Sequence, residues 1–206
     1  MFRCIGVFFL SLFVLFASGC YVKPRPPSIP IQALEGSAHY STHVKKLISQ
    51  AMILSKKRLN YRFGSSSPRY GGMDCSGTIH YLLYRVAHIN SPRSASEIYV
   101  WVQRHGKMHY VHAHYLGSPE FSALRPGDLL FWTGTYYTHH RPPITHVMLY
   151  LGHDKRGHAL MFGATEGVYY NRIVRGIGVF DFVLPSRYDR AKFVAYGCIP
   201  GYTCRA

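Results

Sequence analysis

The chain has 206 residues, of which 24 are lysine or arginine and only 9 aspartate or glutamate, a formal charge of +15. At 48% hydrophobic and 16% charged residues it is too apolar for a disordered chain and long enough to bury a sizeable core. The basic balance points to acidic partners such as nucleic acid, anionic lipid or an acidic polymer, with a merely solvated basic face as the plain alternative.

In residues 1–19 the only charge is Arg3, and a nearly continuous apolar run from Ile5 to Phe16 ends in Ala17-Ser18-Gly19. That is a secretory signal whose apolar region is too short to span a membrane. Cys20, directly after it, resembles a lipobox cysteine, which is acylated and becomes the mature N-terminus. Acyl chains there would anchor the protein to a membrane surface; a plain signal cleaved near Gly19 is the alternative. Tyr21 resembles the outer-membrane rather than the inner-membrane sorting rule, so the expected location is the cell envelope, facing the periplasm. Export argues against nucleic acid and for an anionic wall or envelope surface. Pro24, Pro26, Pro27 and Pro30 make residues 20–35 read as a lipidated, extended tether with no core of its own. Residues 36–206 are then one domain without internal repeats.

Ser41 to Lys57 reads as a helix, with Val44, Leu47, Ile48, Ala51 and Leu54 on one face. Gly71-Gly72 ends what precedes Asp74-Cys75-Ser76-Gly77, and Ile79, Leu82, Leu83 and Val86 then recur at the spacing of a buried helix. Asp74 is its N-cap. Cys75 falls in the first turn, where the dipole and unpaired amides favour the nucleophilic thiolate. Ser76 and Gly77 leave space beside the sulfur for a substrate. A buried, inert cysteine is the commoner reading in general, and a nucleophile needs a base. Pro92 to Glu97 opens a short helix through about Gln103. From there glycine and proline punctuation increases and strands take over: Leu129–Trp132 after the turn Arg125-Pro126-Gly127-Asp128, then His146–Leu151, Ala159–Thr165 after the turn Asp154–Gly157, Gly178–Val183 and Phe193–Gly197. Helices followed by strands predict an α+β domain with the cysteine helix packed on an antiparallel sheet. Cys4 leaves with the signal and Cys20 is acylated. Cys198 and Cys204 are close enough in sequence to pair in an oxidising compartment, which leaves Cys75 as the odd thiol.

Tyr61-x-x-Gly64, Asp74-Cys75-Ser76-Gly77, Pro92-Arg93-Ser94, Arg125-Pro126-Gly127-Asp128-Leu129-Leu130-Phe131-Trp132 and Thr145-His146-Val147-x-x-Tyr150-Leu151-Gly152 occur in this order. Together, over roughly residues 36–200, they resemble the NlpC-type family of papain-like cell-wall cysteine peptidases, in the unpermuted order. The resemblance implies that Cys75 attacks an amide carbonyl and that His146 serves as its base and then protonates the leaving amine. The Cys75 amide is a natural oxyanion donor, with the Tyr61 hydroxyl nearby; a core tyrosine is the even alternative. Asp74 and Ser76 flank the sulfur as further candidates for the substrate side, Asp74 reading more as a helix cap than as an acid.

The family places a third polar residue, usually histidine, on the next strand to orient the base. A spacing of twelve from His146 selects His158. Hairpin geometry opposes this: with Asp154–Gly157 as the turn, His158 pairs near His153, roughly 20 Å along the strand from His146. Phe162 or Gly163 would hold the matching position, and neither can orient an imidazole. A backbone carbonyl, a water or Glu166 would have to serve. His109, His112 and His114, or His139 with His140, lack the spacing of a closed zinc site, and no metal or cofactor is expected. The stretch Tyr136 to Pro143 reads as an insertion that shapes the cleft.

The implied activity is hydrolysis of amide bonds in peptidoglycan stem peptides, next to γ-D-glutamyl or diaminopimelate units. The alternatives are a non-catalytic peptidoglycan-binding lipoprotein of the same fold, or an amidase or acyltransferase on another envelope amide.

Overall fold

The computed structural model describes residues 23–204; the signal reading of residues 1–19 and the acylation reading of Cys20 lie outside the described residues. Three α-helices, α1 (Thr42–Lys56), α2 (Cys75–Ala87) and α3 (Ala95–His105), precede most of the sheet. A two-residue pair, β1 (Asn60–Tyr61) and β2 (Gly72–Met73), lies between α1 and α2. Then come β3 (Met108–Tyr110), β4 (Leu129–Thr133), β5 (Ile144–His153), β6 (Ala159–Tyr169), β7 (Arg172–Asp181) and β8 (Lys192–Gly197). They form one antiparallel sheet in the order β3-β8-β4-β5-β6-β7. The chain is therefore α+β, with the cysteine helix laid on the sheet.

Strand alternation sorts the core into two layers. Leu129, Phe131, Val147, Leu149, Leu151, Phe162, Ala164, Ile177 and Val179 meet the apolar faces of the three helices. On the other face, Leu130, Trp132, Met148, Tyr150, Phe180, Phe193 and Tyr196 are covered by Val111 and Phe121 from the connection between β3 and β4. Burying both faces explains why the β4 and β5 sequences are apolar runs rather than alternations.

The ends of the helices follow their caps. The Ser41 hydroxyl accepts the Val44 amide at the start of α1, and Ser94 with Glu97 forms a reciprocal capping box on α3. β6 and β7 run longer than the apolar pattern suggested and are joined by Tyr170-Asn171, both at positive φ, the conformation of a two-residue hairpin turn.

The tether reading needs correction. Pro24 O accepts the Arg175 amide at 3.0 Å and Pro27 O the Val179 amide at 3.1 Å, while Leu59 O takes the Ile177 amide between them. The proline-rich segment thus covers the open edge of β7, as exposed edges require. Proline suits an edge, since its carbonyl can pair although it has no N–H to give. Leu34 is buried in the helix-side core, and the Glu35 amide donates to His153 O at 2.8 Å. The folded unit therefore begins before residue 36. Near the other end Cys198 and Cys204 form a disulfide, and Cys75 is the free cysteine among the described residues.

Candidate active site

Asp74 organises the start of α2. Its Oδ1 accepts the Gly77 amide at 2.7 Å, closing the N-cap, and its Oδ2 accepts the Gly64 amide at 2.8 Å from the loop after β1. Arg93 grips the same carboxylate with both ends of its fork, Nη1 to Oδ1 at 3.0 Å and Nη2 to Oδ2 at 2.8 Å. The Ser76 hydroxyl donates to Asp74 Oδ1 and accepts from Arg93 Nη1. A side chain at Gly77 would collide with the Ser65 carbonyl, so glycine is what lets that loop lie against the helix. Asp74 and Ser76 therefore have their polar atoms committed to holding the helix start.

Cys75, 6% exposed, sits on that start. The Val147 amide of β5 and the amides of Ser76 and Cys75 itself lie close enough to its sulfur to favour the ionised form. The β5–β6 pairing ends at Leu149↔Phe162, two residues short of Val147. Burial pushes the Cys75 thiol up to about 11, and the Asp74 carboxylate adds to the rise while the three amides oppose it. The helix start therefore does not win, and the thiolate expected from the dipole gives way to a protonated thiol in the resting protein.

His146 adjoins Val147 on β5, opposite Trp132 of β4, with the two ring centroids 5.6 Å apart. Its surface is partly open, yet dense packing around the ring pulls its pKa down to about 4, with no hydrogen bond or charge to offset it. At rest the thiol of Cys75 and the imidazole of His146 on β5 are both neutral, and such an imidazole is free to accept a proton.

Residues 58–175, more than half the chain, match the family model described as the NlpC/P60 family. The chain belongs to the NlpC/P60 family. It is 36% identical over 95 residues to the murein DD-endopeptidase MepH of Escherichia coli (strain K12), covering 46% of this chain and 29% of that protein. It is 30% identical over 125 residues to the probable endopeptidase YafL of the same organism, covering 59% of this chain and 43% of that one. It thus spans less than half the length of the curated relatives it matches. A crystal structure from Staphylococcus aureus subsp. aureus Mu50, titled as similar to a lipoprotein of the NLP/P60 family, superposes with a TM-score of 0.51 at 24% identity. That alignment covers 78% of this chain and 43% of that one, and the likeness is one of fold.

In this NlpC/P60 domain His158 is not brought to the cysteine. It sits in the hairpin turn, where Ala159 pairs with His153, seven residues along β5 from His146. Its amide is fixed by Asp154 Oδ1 at 3.0 Å, its Nδ1 lies 3.6 Å from Asp154 Oδ2, and its ring rests on Tyr170 at 4.8 Å. Extending the register from Leu149↔Phe162 sets Gly163 across from Met148 and Thr165 across from His146. A Cβ on Gly163 would collide with the Met148 thioether. The space beside His146 is therefore filled by methionine rather than by a polar group.

Tyr61, on β1, is brought to the site. Burial, with the charges of Cys75 and Asp74 behind it, raises its hydroxyl to about 12. The site also draws on Tyr136, which the sequence reading placed in the cleft-shaping insertion without a role of its own. Its hydroxyl feels Cys75 and Asp74, and its ring meets Phe63 edge-on at 6.4 Å. The loop's base is braced by Arg190 Nε on Gly134 O at 2.9 Å and by the Thr135 amide on Thr145 Oγ1 at 3.0 Å. The Val147 amide carried no side-chain signal at all. The histidines weighed as metal ligands are elsewhere: His109 stacks on Tyr196 at 5.0 Å and His139 packs edge-on to Tyr137.

Proposed function

We propose that the protein is a cell-wall cysteine peptidase that cleaves amide bonds in peptidoglycan stem peptides through Cys75 and His146. The observation that carries this is the buried start of α2 at Cys75 packed on β5, the strand that bears His146, in an NlpC/P60 domain. The names of the relatives, a murein endopeptidase and a probable endopeptidase, support the substrate class. As the Cys75 sulfur attacks the carbonyl carbon, its proton passes to neutral His146, and the carbonyl oxygen takes the negative charge. The Cys75 amide and the Tyr61 hydroxyl are the donors assigned to that oxyanion. The carbon–nitrogen bond then breaks, His146 protonates the departing amine, and a thioester on Cys75 remains. Water attacks it with His146 again as base, releasing the carboxylic acid and restoring the thiol. A neutral starting pair suits this route, since the proton moves only as the carbon–sulfur bond forms.

The signal-like residues 1–19 and the lipobox-like Cys20 support export and acylation, with the domain held at the envelope membrane facing the periplasm. A second reading, a peptidoglycan-binding protein that keeps the fold without efficient chemistry, draws on the filled space at Met148 and Gly163, which leaves His146 without a polar support. Digestion of purified peptidoglycan, followed by mass spectrometry of the fragments, separates the two. New muropeptides from wild type and none from Cys75→Ala are expected; fragments retained with Cys75→Ala would remove the nucleophile. A folded wild-type protein that binds the wall without cutting it would establish the second reading. The masses also name the bond and distinguish an amidase or acyltransferase.

A further inference from the structure

Two carboxylates on the nucleophile's side of the sheet are held in ion pairs. Arg93 holds Asp74, and Lys23 holds Glu166. Arg175 stands directly opposite Glu166 in the β6–β7 register. It shares its face with Ile177 and Val179, which pack toward the helices and hence toward the side that carries Cys75. The bond from the Ile177 amide to Leu59 O, 3.1 Å, runs the chain from Leu59 to Tyr61 alongside β7. Tyr61 is thereby close enough to Arg175 for the guanidinium charge to act on its phenol, the same phenol that feels Cys75. The backbone of Arg175 is fixed, its amide donating to Pro24 O at 3.0 Å. Its side chain is exposed and forms none of the ion pairs found among the described residues. Its cross-strand carboxylate has a different partner. A guanidinium left open beside Tyr61, whose phenol in turn feels Cys75, presents a planar fork that matches an incoming carboxylate.

We propose that Arg175 binds a substrate carboxylate next to the scissile bond and makes the protein selective for stem peptides whose acid is free rather than amidated. The inference rests on the cleavage reading above and adds a specificity residue to it. A carboxamide in the same place offers N–H donors to a group that can only donate, so amidation removes the charge and leaves half of the fork unmatched.

The test uses three synthetic stem tetrapeptides: one with all acids free, one amidated at the glutamyl α-carboxylate, and one amidated on the diaminopimelyl side chain. Wild type is expected to favour the free acid over one amidated form by about tenfold in kcat/KM, the scale of one charge-assisted hydrogen bond. The peptide that suffers identifies which carboxylate is read. Arg175→Gln is expected to treat all three alike, and Arg175→Lys to keep part of the preference. Equal rates for wild type on all three, or a preference retained in Arg175→Gln, overturns the inference. Binding of the same peptides to Cys75→Ala protein gives a reading that needs no cleavage. If wild type cuts nothing but this protein prefers the free acid, and adding Arg175→Gln removes the preference, the carboxylate site stands while the peptidase reading falls. Equal binding of the three peptides overturns the site itself.

Discussion

Replacing Arg93 with methionine tests whether the start of the cysteine helix is held from behind. The side chain keeps much of its apolar stem but loses both bonds to Asp74 and the one to Ser76 Oγ, 2.8 to 3.0 Å long. The Asp74 carboxylate is 6% exposed as a residue and keeps its bonds from the Gly64 and Gly77 amides. An uncompensated buried charge costs about 3–5 kcal/mol, whereas a pair at the surface contributes about 0–1 kcal/mol. Arg93 is itself about one-third exposed and two amide bonds remain, so the expected loss lies between these, at about 2 kcal/mol. For a domain of this size that lowers Tm by roughly 4–8 °C. The assay is thermal unfolding followed by circular dichroism, with Asp74→Asn and the double variant completing the cycle. The double variant should be less destabilised than the sum of the singles, because the orphaned charge is gone. Additive losses, or a Tm unchanged by Arg93→Met, would refute the assignment of Asp74 and Arg93 as the clamp.

The other predictions concern His146, the turn residue His158 and one buried acid. His146→Ala should abolish hydrolysis, while His158→Ala should leave the kcat/KM of peptide cleavage within about twofold, because His158 lies in the far turn; a loss of a hundredfold in the latter would mean that the turn reaches the site. Since burial holds His146 down at about 4, the acid limb of kcat/KM is expected near pH 4 instead of the usual 6.5, and a limb at pH 6–7 would show an unburied base. The same depressed pKa contributes stability above pH 6.5 that is lost as pH falls toward 4, where the unfolded chain binds the extra proton. Asp128 acts in the opposite sense: burial raises it to about 6, so its favourable contribution is complete below 3.8 and disappears as pH rises through 6. Asp128→Asn can still accept the Arg125 amide and should therefore stabilise the fold at pH 7.5, by at most about 3 kcal/mol, with no gain at pH 4; equal gains in denaturant midpoint at both values would exclude titration as the cause.

What the sequence disclosed and what it hid divide along physical lines. The apolar stripes of α1 and α2 predicted their buried faces because helix period and burial share one geometry: Val44, Leu47, Ile48, Ala51, Leu54, Ile79, Leu82, Leu83 and Val86 are all buried. The cap at Asp74 was equally legible, as was the hairpin argument that places His158 far from His146. The docking of the proline-rich segment was not, because it depends on carbonyls meeting the free amides of β7, and backbone pairing leaves little trace in side chains. The longer β6–β7 hairpin had a readable sign in Asn171, a residue tolerant of positive φ between alternating apolar positions. The neutral state of Cys75 was hidden for another reason. Helix position is a sequence property, whereas the desolvation that outweighs it comes from tertiary packing of the helix start into the core. Gly163 and Met148 had to be seen together, since only their contact shows that the third position is filled by packing.

The central claim is that Cys75 carries the acyl group, and intact-protein mass spectrometry on samples quenched in acid during turnover of a stem peptide tests it most directly. The account predicts a transient adduct with the mass of the acyl fragment, mapped by proteolysis to the peptide containing Cys75 and released by hydroxylamine. Steady cleavage with no adduct under single-turnover conditions, together with undiminished cleavage by Cys75→Ala, would contradict it.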